Sequence, residues 1–310
     1  MIMHRNDQTL AIRALKSAAP YIRMYKGKTF VVKAGGGVFA DGTATRVLVE
    51  QIAILHYFGV RVVLVHGGGP QLTELSAALG VPTRMVEGRR VTDQQAIDVT
   101  SMVLNGLINT RVLGICRDLN IEAVGISGVD AGLVRAHRRA PMKTGGGELV
   151  DFGFVGDIDQ VDTSVLKKLL DNGLMPVVSP LSADEAGTLL NLNADTVAAA
   201  LGAALGAEKL ILCTGAPGIL GDISDPGSLI SDTDLSGLRR LREEGRIAAG
   251  MLPKAKAIED AIRGGVRRVH VVSYQSPEGI LGEVFTNEGT GTMIVADVNA
   301  LSPAEQQSHS

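Results

Sequence analysis

The chain has 310 residues, 45% of them hydrophobic and 20% charged, enough for a sizeable core in two lobes or one large α/β unit. Thirty basic and 33 acidic side chains leave a net charge of -3, which offers no electrostatic footprint for nucleic acid or an anionic membrane. An apolar share this high excludes global disorder.

In chain order, a helical periodicity over about Thr9 to Met24 comes first and is expected to pack outside the sheet as an appended helix. The first predicted strand, Thr29–Lys33, runs into Gly35-Gly36-Gly37, and a helix over Ala44–Phe58 follows. Strand Arg61–His66 runs into Gly67-Gly68-Gly69, and Pro70 opens a helix to Leu79. A long helix, Asp93–Leu119, is expected to start at a capping box of Thr92 and Gln95, with strand Glu122–Ile126 after it. Residues Leu133 to Ile158 break the rhythm around Thr144-Gly145-Gly146-Gly147 and read as a projecting hairpin, a candidate lid. Helix Ser164–Asn172 ends at Gly173 before strand Met175–Pro180. Helix Ala194–Leu205, strand Lys209–Thr214, helix Pro253–Arg263 closed by Gly264, and strands Arg268–Ser273 and Gly291–Val295 complete the order. From about Ser302 the chain is a polar tail.

The strand candidates are short, continuous and apolar, as strands buried on both faces should be. Their alternation with helices predicts an α/β fold, an open parallel sheet covered by helices on both sides. Cys116 and Cys213 are the only cysteines and have no CxxC spacing, so neither a disulfide framework nor a zinc site is expected. The polar N-terminus has no signal-peptide core, and the longest small-apolar run, Val197 to Ala207, is shorter than the ~20 residues a bilayer requires. A soluble, cytoplasmic protein is expected.

The 38 glycines are informative where they follow strands. Glycine at a strand's carboxyl end lets backbone N–H groups approach an anion with no Cβ in the way, and the helix opened by Pro70 adds a favourable dipole. Two such turns in one half, one preceded by Lys33, point to a bound anion. Two other patterns are weaker. Gly27-Lys28-Thr29 looks like the end of a P-loop, but Ile22 stands where the motif needs glycine and a strand follows where it needs a helix. Gly35, Gly37 and Ala40 fit a loose dinucleotide fingerprint, yet Glu50, the acid in range, lies within a helical pattern.

Asn191, Asn193 and Asp195 put three polar side chains just before or within the start of a helix, more than one N-cap requires. Lys254 falls in the first turn of another helix, where cations are disfavoured; a bound anion would remove the conflict. Arg90 has the fork geometry suited to clamping a carboxylate.

Together these elements resemble the N-acetylglutamate kinase branch of the amino-acid kinase family, from Tyr21 to about Ile294. The markers are Lys33 with its glycines, His66-Gly67-Gly68-Gly69-Pro70, Arg90-Val91-Thr92-Asp93, Gly153-Phe154-Val155-Gly156-Asp157, Asn191-Leu192-Asn193-Ala194-Asp195, Gly250-Met251-Leu252-Pro253-Lys254 and Phe285-Thr286-Asn287-Glu288-Gly289-Thr290-Gly291-Thr292. The resemblance implies a three-layer αβα sandwich around a mainly parallel central sheet. It implies a helical extension over residues 1–28, an acceptor-substrate lobe over 29–180, a nucleotide lobe over 181–298 and a tail over 299–310.

The implied reaction moves the γ-phosphoryl group of ATP onto the side-chain carboxylate of N-acetyl-L-glutamate, a step of arginine synthesis. By the family pattern Gly68, Gly69, Arg90 and Asn191 hold the acceptor, while Lys33 and Lys254 neutralise the transferring group and Asp195 aligns both lysines. Gly35, Gly36, Thr214, Gly215, Gly218, Ile219 and Leu220 fall where the family binds nucleotide. Magnesium is implied on the ATP phosphates, with no dedicated protein cage. This agrees with the chemistry: a carboxylate, with a pKa of about 4.3, is already ionised near neutrality and needs no general base. What it needs is in-line positioning and charge stabilisation.

The chain departs from the pattern where Gly215 replaces an acid and Val129 replaces a lysine. The N-terminal helix resembles the long, arginine-inhibited forms that assemble into hexameric rings, trimers of dimers; a plain dimer is the other assembly considered. His270, Glu283 and Gly289 match the arginine site of those forms, with Tyr21 or Tyr25 closing it. An aminoadipate kinase, a Rossmann-type oxidoreductase and a non-catalytic arginine sensor are the competing readings, separable by acceptor choice, NADH binding and arginine binding without turnover.

Overall fold

The apolar runs lie side by side in an eight-stranded central sheet in the computed structural model, which describes residues 5–300 except positions 223, 226, 248 and 287. From edge to edge the strands are Asp232–Asp234, Thr292–Val295, Arg268–Ser273, Lys209–Thr214, Thr29–Ala34, Arg61–His66, Met175–Ser179 and Ala123–Ser127. Neighbours are parallel throughout except Thr292–Val295, which runs antiparallel to Arg268–Ser273. Side chains alternate between two cores, as a two-residue period dictates. Phe30, Val32, Val62 and Leu64 face helices Gly42–Tyr57 and Asn109–Asp118. Val31, Val63 and Val65 face helices Ala194–Leu205 and Leu252–Arg263. Each fully buried aliphatic side chain contributes about 1.5–3 kcal/mol, so strands covered on both faces are favoured wherever such runs occur. The result is the expected three-layer αβα sandwich.

Register brings the carboxyl ends of the three middle strands level. Ala34 pairs with His66 on one side and Cys213 on the other. The loops leaving these strands therefore emerge together. The chain proceeds from Thr29–Ala34 to the neighbour on one side and only later returns on the other, so strand order reverses here. Open α/β sheets bind ligands in the crevice outside the strand ends at such a point.

Strands Val134–Arg138 and Gly156–Val161 pair antiparallel and join Leu181–Ala183 and Leu189–Asn191 in a second, four-stranded sheet. Its tip is the hairpin Met142–Lys143 with Leu149–Val150, where a projection was expected. Some elements escape the periodicity argument: the hairpin Arg84–Val86 with Arg89–Val91, and helices Leu235–Glu243 and Gly279–Phe285. The first helix spans Arg5–Tyr25. The tail beyond residue 300 lies outside the described residues.

One cap is corrected. Asp93, not Thr92, caps the long helix, its carboxylate accepting from the Ala96 amide. Thr92 is instead buried and exchanges backbone bonds with Phe152 and Phe154. Aspartate is the stronger cap, and threonine is tied up in that bridge. The helix itself widens into a π-helical stretch at Met102–Ile108. By length and composition Gln94–Asp118 could cross a membrane. Here, however, Val103, Leu104, Ile108 and Val112 are packed in the core beneath the sheet.

Candidate active site

The two glycine loops pack directly on each other. A Cβ on Gly36 would stand 2.7 Å from Pro70 Cδ and 2.8 Å from the Gly69 nitrogen, and one on Gly68 would strike Ile108 and Leu104. These positions are glycine because the Gly36 backbone meets the other loop at Gly69 and Pro70, and the Gly68 backbone meets the side chains of Leu104 and Ile108. The helix Gly69–Ala78 begins with no side-chain cap at Gly68, so its first amides have no side-chain acceptor. They face a cleft of about 500 Å³ lined by Lys33, Gly36, Gly67–Pro70, Arg90, Asn191 and Asp195. The second sheet contributes Gly156 and Asp157 to the same cleft, with Arg139 just beyond its strand Val134–Arg138.

Lys33 lies two residues after Val31 and so points to the same face, towards helix Ala194–Leu205. That helix is capped by Asn193, whose side chain accepts from the Asp195 and Thr196 amides. Asp195 is thereby released from capping. Its Oδ1 takes both lysines, Lys33 Nζ at 2.9 Å and Lys254 Nζ at 2.9 Å. All three side chains are nearly buried, at 9%, 13% and 11% exposed for Lys33, Asp195 and Lys254. Burial alone would raise the Asp195 carboxyl, but Lys33 and Lys254 together hold it below the usual range. Burial, and then the like charge of Lys33, lower the Lys254 ammonium.

Two cations on one carboxylate leave an excess of one positive charge in a site screened from water. Buried charge is costly unless paired, so this constellation is built to receive an anion.

Arg90 stands at the end of the unforeseen hairpin, whose turn places Glu87 and Gly88 at positive φ. Its guanidinium donates to Thr73 Oγ1 at 2.7 Å, Thr83 Oγ1 at 3.1 Å and the Gly69 carbonyl at 3.3 Å. Among the described residues it has no carboxylate partner. Gly153 ties this hairpin to the second sheet: a Cβ there would stand 2.2 Å from the Thr92 oxygen, and φ is +71°. Asn191 extends the same contact, its amide donating to Phe154.

Thr214, Gly215, Gly218, Ile219 and Leu220 do not line this cleft. The Thr214 hydroxyl bonds its own loop at Ala216, and Gly215 lies beside Tyr274. Gly218 packs on Leu229 and Thr292, Ile219 is buried and donates to Thr292 Oγ1, and Leu220 bridges to Leu229. Gly35 stays open, nearest to Lys33 Nζ and the Cys213 carbonyl.

His270, Glu283 and Gly289 form a separate cluster. His270 Nδ1 is 2.6 Å from Glu283 Oε1, and Glu283 Oε2 accepts from the Thr290 and Gly291 amides. Gly289, at φ +64°, leaves room for that carboxylate. The sequence reading missed a fourth member, Lys209, whose Nζ lies 2.8 Å from His270 Nε2 beneath the Tyr25 ring. Burial pushes Lys209 down to about 7 and His270 down to about 4. The sequence marked Lys209 only as the start of a strand; its burial depends on Tyr25 and His270, which lie distant in the chain.

His66, before the second glycine loop, is fully buried, with Nδ1 towards the Gly67 carbonyl and Nε2 towards Asn109. Burial pushes it down to about 4 from an ordinary 6.5. The unfolded chain therefore binds a proton between pH 6.5 and about 4 that the native state refuses, so stability falls as pH drops through that window. His270 acts in the same direction. The His66 contribution is at most about 3 kcal/mol. Thermal unfolding from pH 7 to 4.5 should show a shallower slope for His66→Gln than for the parent; equal slopes would refute this account.

The model of the amino acid kinase family matches residues 28–273. The acetylglutamate kinase of Myxococcus xanthus is 48% identical over 94% of this chain and 96% of its own length. That of Symbiobacterium thermophilum is 42% identical over 91% and 96%. Among solved structures, N-acetylglutamate synthase from Neisseria gonorrhoeae, complexed with coenzyme A and N-acetyl-glutamate, superposes with a TM-score of 0.80 at 27% identity over 93% of this chain. The chain spans 64% of that structure's length. Carbamate kinase from Giardia lamblia, bound to AMP-PNP, gives 0.62 at 18% identity over 87% of this chain and 99% of its own, a likeness of fold.

Proposed function

The chain belongs to the amino acid kinase family, and within it to the acetylglutamate kinases, and on that footing we propose how its residues divide the transfer of the ATP γ-phosphoryl group to the side-chain carboxylate of N-acetyl-L-glutamate. The observation that carries the assignment is the buried excess positive charge of Lys33, Lys254 and Asp195 at the strand ends. Lys33 and Lys254 stabilise the equatorial oxygens of the transferring group, and Asp195 orients them without being consumed. Arg90 and the amides of Gly68 and Gly69 hold the acceptor at the other end of the cleft, with Asn191 beside them. The nucleotide occupies the opposite side of Lys33, along Gly35, Gly36 and the Thr214–Leu220 loop.

Asp195 is committed to two lysines, and among the described residues no three His, Cys, Asp or Glu side chains converge. The donor set does not fit a protein-held metal, so magnesium belongs to the ATP phosphates.

The two lobes, 29–180 and 181–298, are supported by strand order: each supplies four adjacent strands of the central sheet. Arginine inhibition through His270, Glu283 and Gly289 is supported by their convergence with Lys209. Assembly through the first helix is supported by exposed Ile12, Leu15 and Met24. A cytoplasmic location belongs to the same reading.

The purified chain should convert ATP and N-acetylglutamate to an acyl phosphate that hydroxylamine traps as a hydroxamate, and arginine should reduce the rate. Absence of hydroxamate would overturn the reaction; turnover indifferent to arginine would overturn only the regulation.

A further inference from the structure

Gly215 stands where the family pattern places an acid, and the structure shows what stands beside it. Tyr274 follows directly on strand Arg268–Ser273 and donates its backbone N–H to the Thr214 carbonyl at 2.9 Å, extending the sheet pairing by one residue. Its ring reaches across the strand ends. A Cβ on Gly215 would meet the Tyr274 hydroxyl at 3.5 Å and the ring at 3.8 Å, so the phenol is an immediate neighbour of any side chain at 215. On the far side, a Cβ on Gly37 would stand only 2.6 Å from the same hydroxyl. Gly37 has no positive φ, so its lack of a side chain answers to this contact and not to backbone conformation. The phenol thus spans the glycine loop after Lys33 and the loop after Thr214, the two sides of the crevice assigned above to nucleotide.

The body of the ring packs against the apolar cluster beneath the sheet, and the residue is only partly buried. Among the described residues its hydroxyl makes no hydrogen bond. A neutral O–H donor, carried on a packed ring and left open between the two strand-end loops, has the chemistry of a phosphate ligand.

We propose that Tyr274 is a nucleotide-binding residue of this chain, its hydroxyl donating to a phosphate oxygen of ATP beside the position where Gly215 lacks the expected acid. The inference rests on the nucleotide placement given above. A phenol donates without adding negative charge, whereas a carboxylate at 215 would repel the phosphates unless a cation intervened. With glycine at 215, the Tyr274 hydroxyl supplies a polar contact there without making the crevice more anionic.

Two substitutions test it by different routes. Tyr274→Phe deletes the hydroxyl and keeps the ring. Gly37→Ala leaves the tyrosine in place but pushes its hydroxyl aside. Each should raise the KM for ATP roughly tenfold, the loss of one hydrogen bond to a charged group, with the KM for N-acetylglutamate unchanged. Calorimetric binding of AMP-PNP should weaken in parallel. The double variant should be no worse than the poorer single one, because both act through one oxygen. A KM for ATP and an AMP-PNP affinity within twofold of the parent for Tyr274→Phe overturn the proposal, as do fully additive effects. A merely structural role would lower the melting temperature and disturb both substrates' KM values alike. The parent chain, assayed alongside, keeps the failures distinct: no turnover there refutes the kinase reading, while normal turnover with an indifferent Tyr274→Phe refutes this inference alone.

Discussion

Lys254→Ala should lower kcat by about 10²–10³-fold, the cost of one preorganised donor to developing charge, while the protein still folds. The structure explains why the two effects separate. Lys33, Lys254 and Asp195 carry one excess positive charge between them, with both ammonium groups 2.9 Å from a single carboxylate oxygen. Removing Lys254 leaves the Lys33–Asp195 pair neutral and still bonded, so no buried charge is orphaned and the penalty for breaking a buried pair is avoided. What vanishes is the excess charge itself, which the native fold has no use for. Burial and the like charge of Lys33 lower the Lys254 ammonium despite Asp195, and a bound anion would offset that cost. The KM for N-acetylglutamate should change little, because Arg90 and the Gly68–Gly69 loop lie at the other end of the cleft. Steady-state hydroxamate formation measures this, and a near-normal kcat would remove Lys254 from the mechanism.

How much of this could be seen before the structure differs from residue to residue. Lys254 was visible because it broke a local preference, a cation in a helix's first turn, and Lys33 because it leads a strand into one of the two glycine turns. Asp195 was visible as surplus, and the structure resolves the surplus: Asn193 caps and Asp195 pairs. The glycine loops could be placed at strand ends, but not the steric reason that Gly36 and Gly68 tolerate no side chain, since Pro70, Leu104 and Ile108 arrive from elsewhere in the chain. The hairpin carrying Arg90 escaped detection because three-residue strands are too short for periodicity to register. Its one local signal was Glu87-Gly88, now seen at positive φ, the backbone a two-residue hairpin loop demands. Lys209 and Tyr274 were opaque because each owes its surroundings to elements distant in the chain, and nothing beside them in sequence marks it.

The largest combined effect belongs to Asp195→Asn. The amide is isosteric, so packing survives, but two buried ammonium groups lose their only shared counterion. They lie no further apart than two 2.9 Å contacts allow, in surroundings that screen poorly. Breaking a buried pair by neutralising one partner costs about 3–5 kcal/mol, and kcat should fall with it because the lysines are no longer aimed. The penalty has a signature that packing damage would not have. The phosphates of ATP supply the missing negative charge, so nucleotide should raise the melting temperature of Asp195→Asn more than that of the parent. The deficit should also shrink as pH rises. In the variant Lys254 loses the carboxylate that opposes its burial, so its folded pKa falls further below 10.5, and the unfolded chain binds more protons than the native one between those two values. Stability then rises with pH through that window, and more steeply than in the parent. Unfolding curves recorded from pH 6.5 to 9.5, with and without AMP-PNP, decide the matter. A variant as stable as the parent without nucleotide at pH 6.5, or one whose deficit ignores both pH and nucleotide, would show that Asp195 is not the counterion on which this site is built.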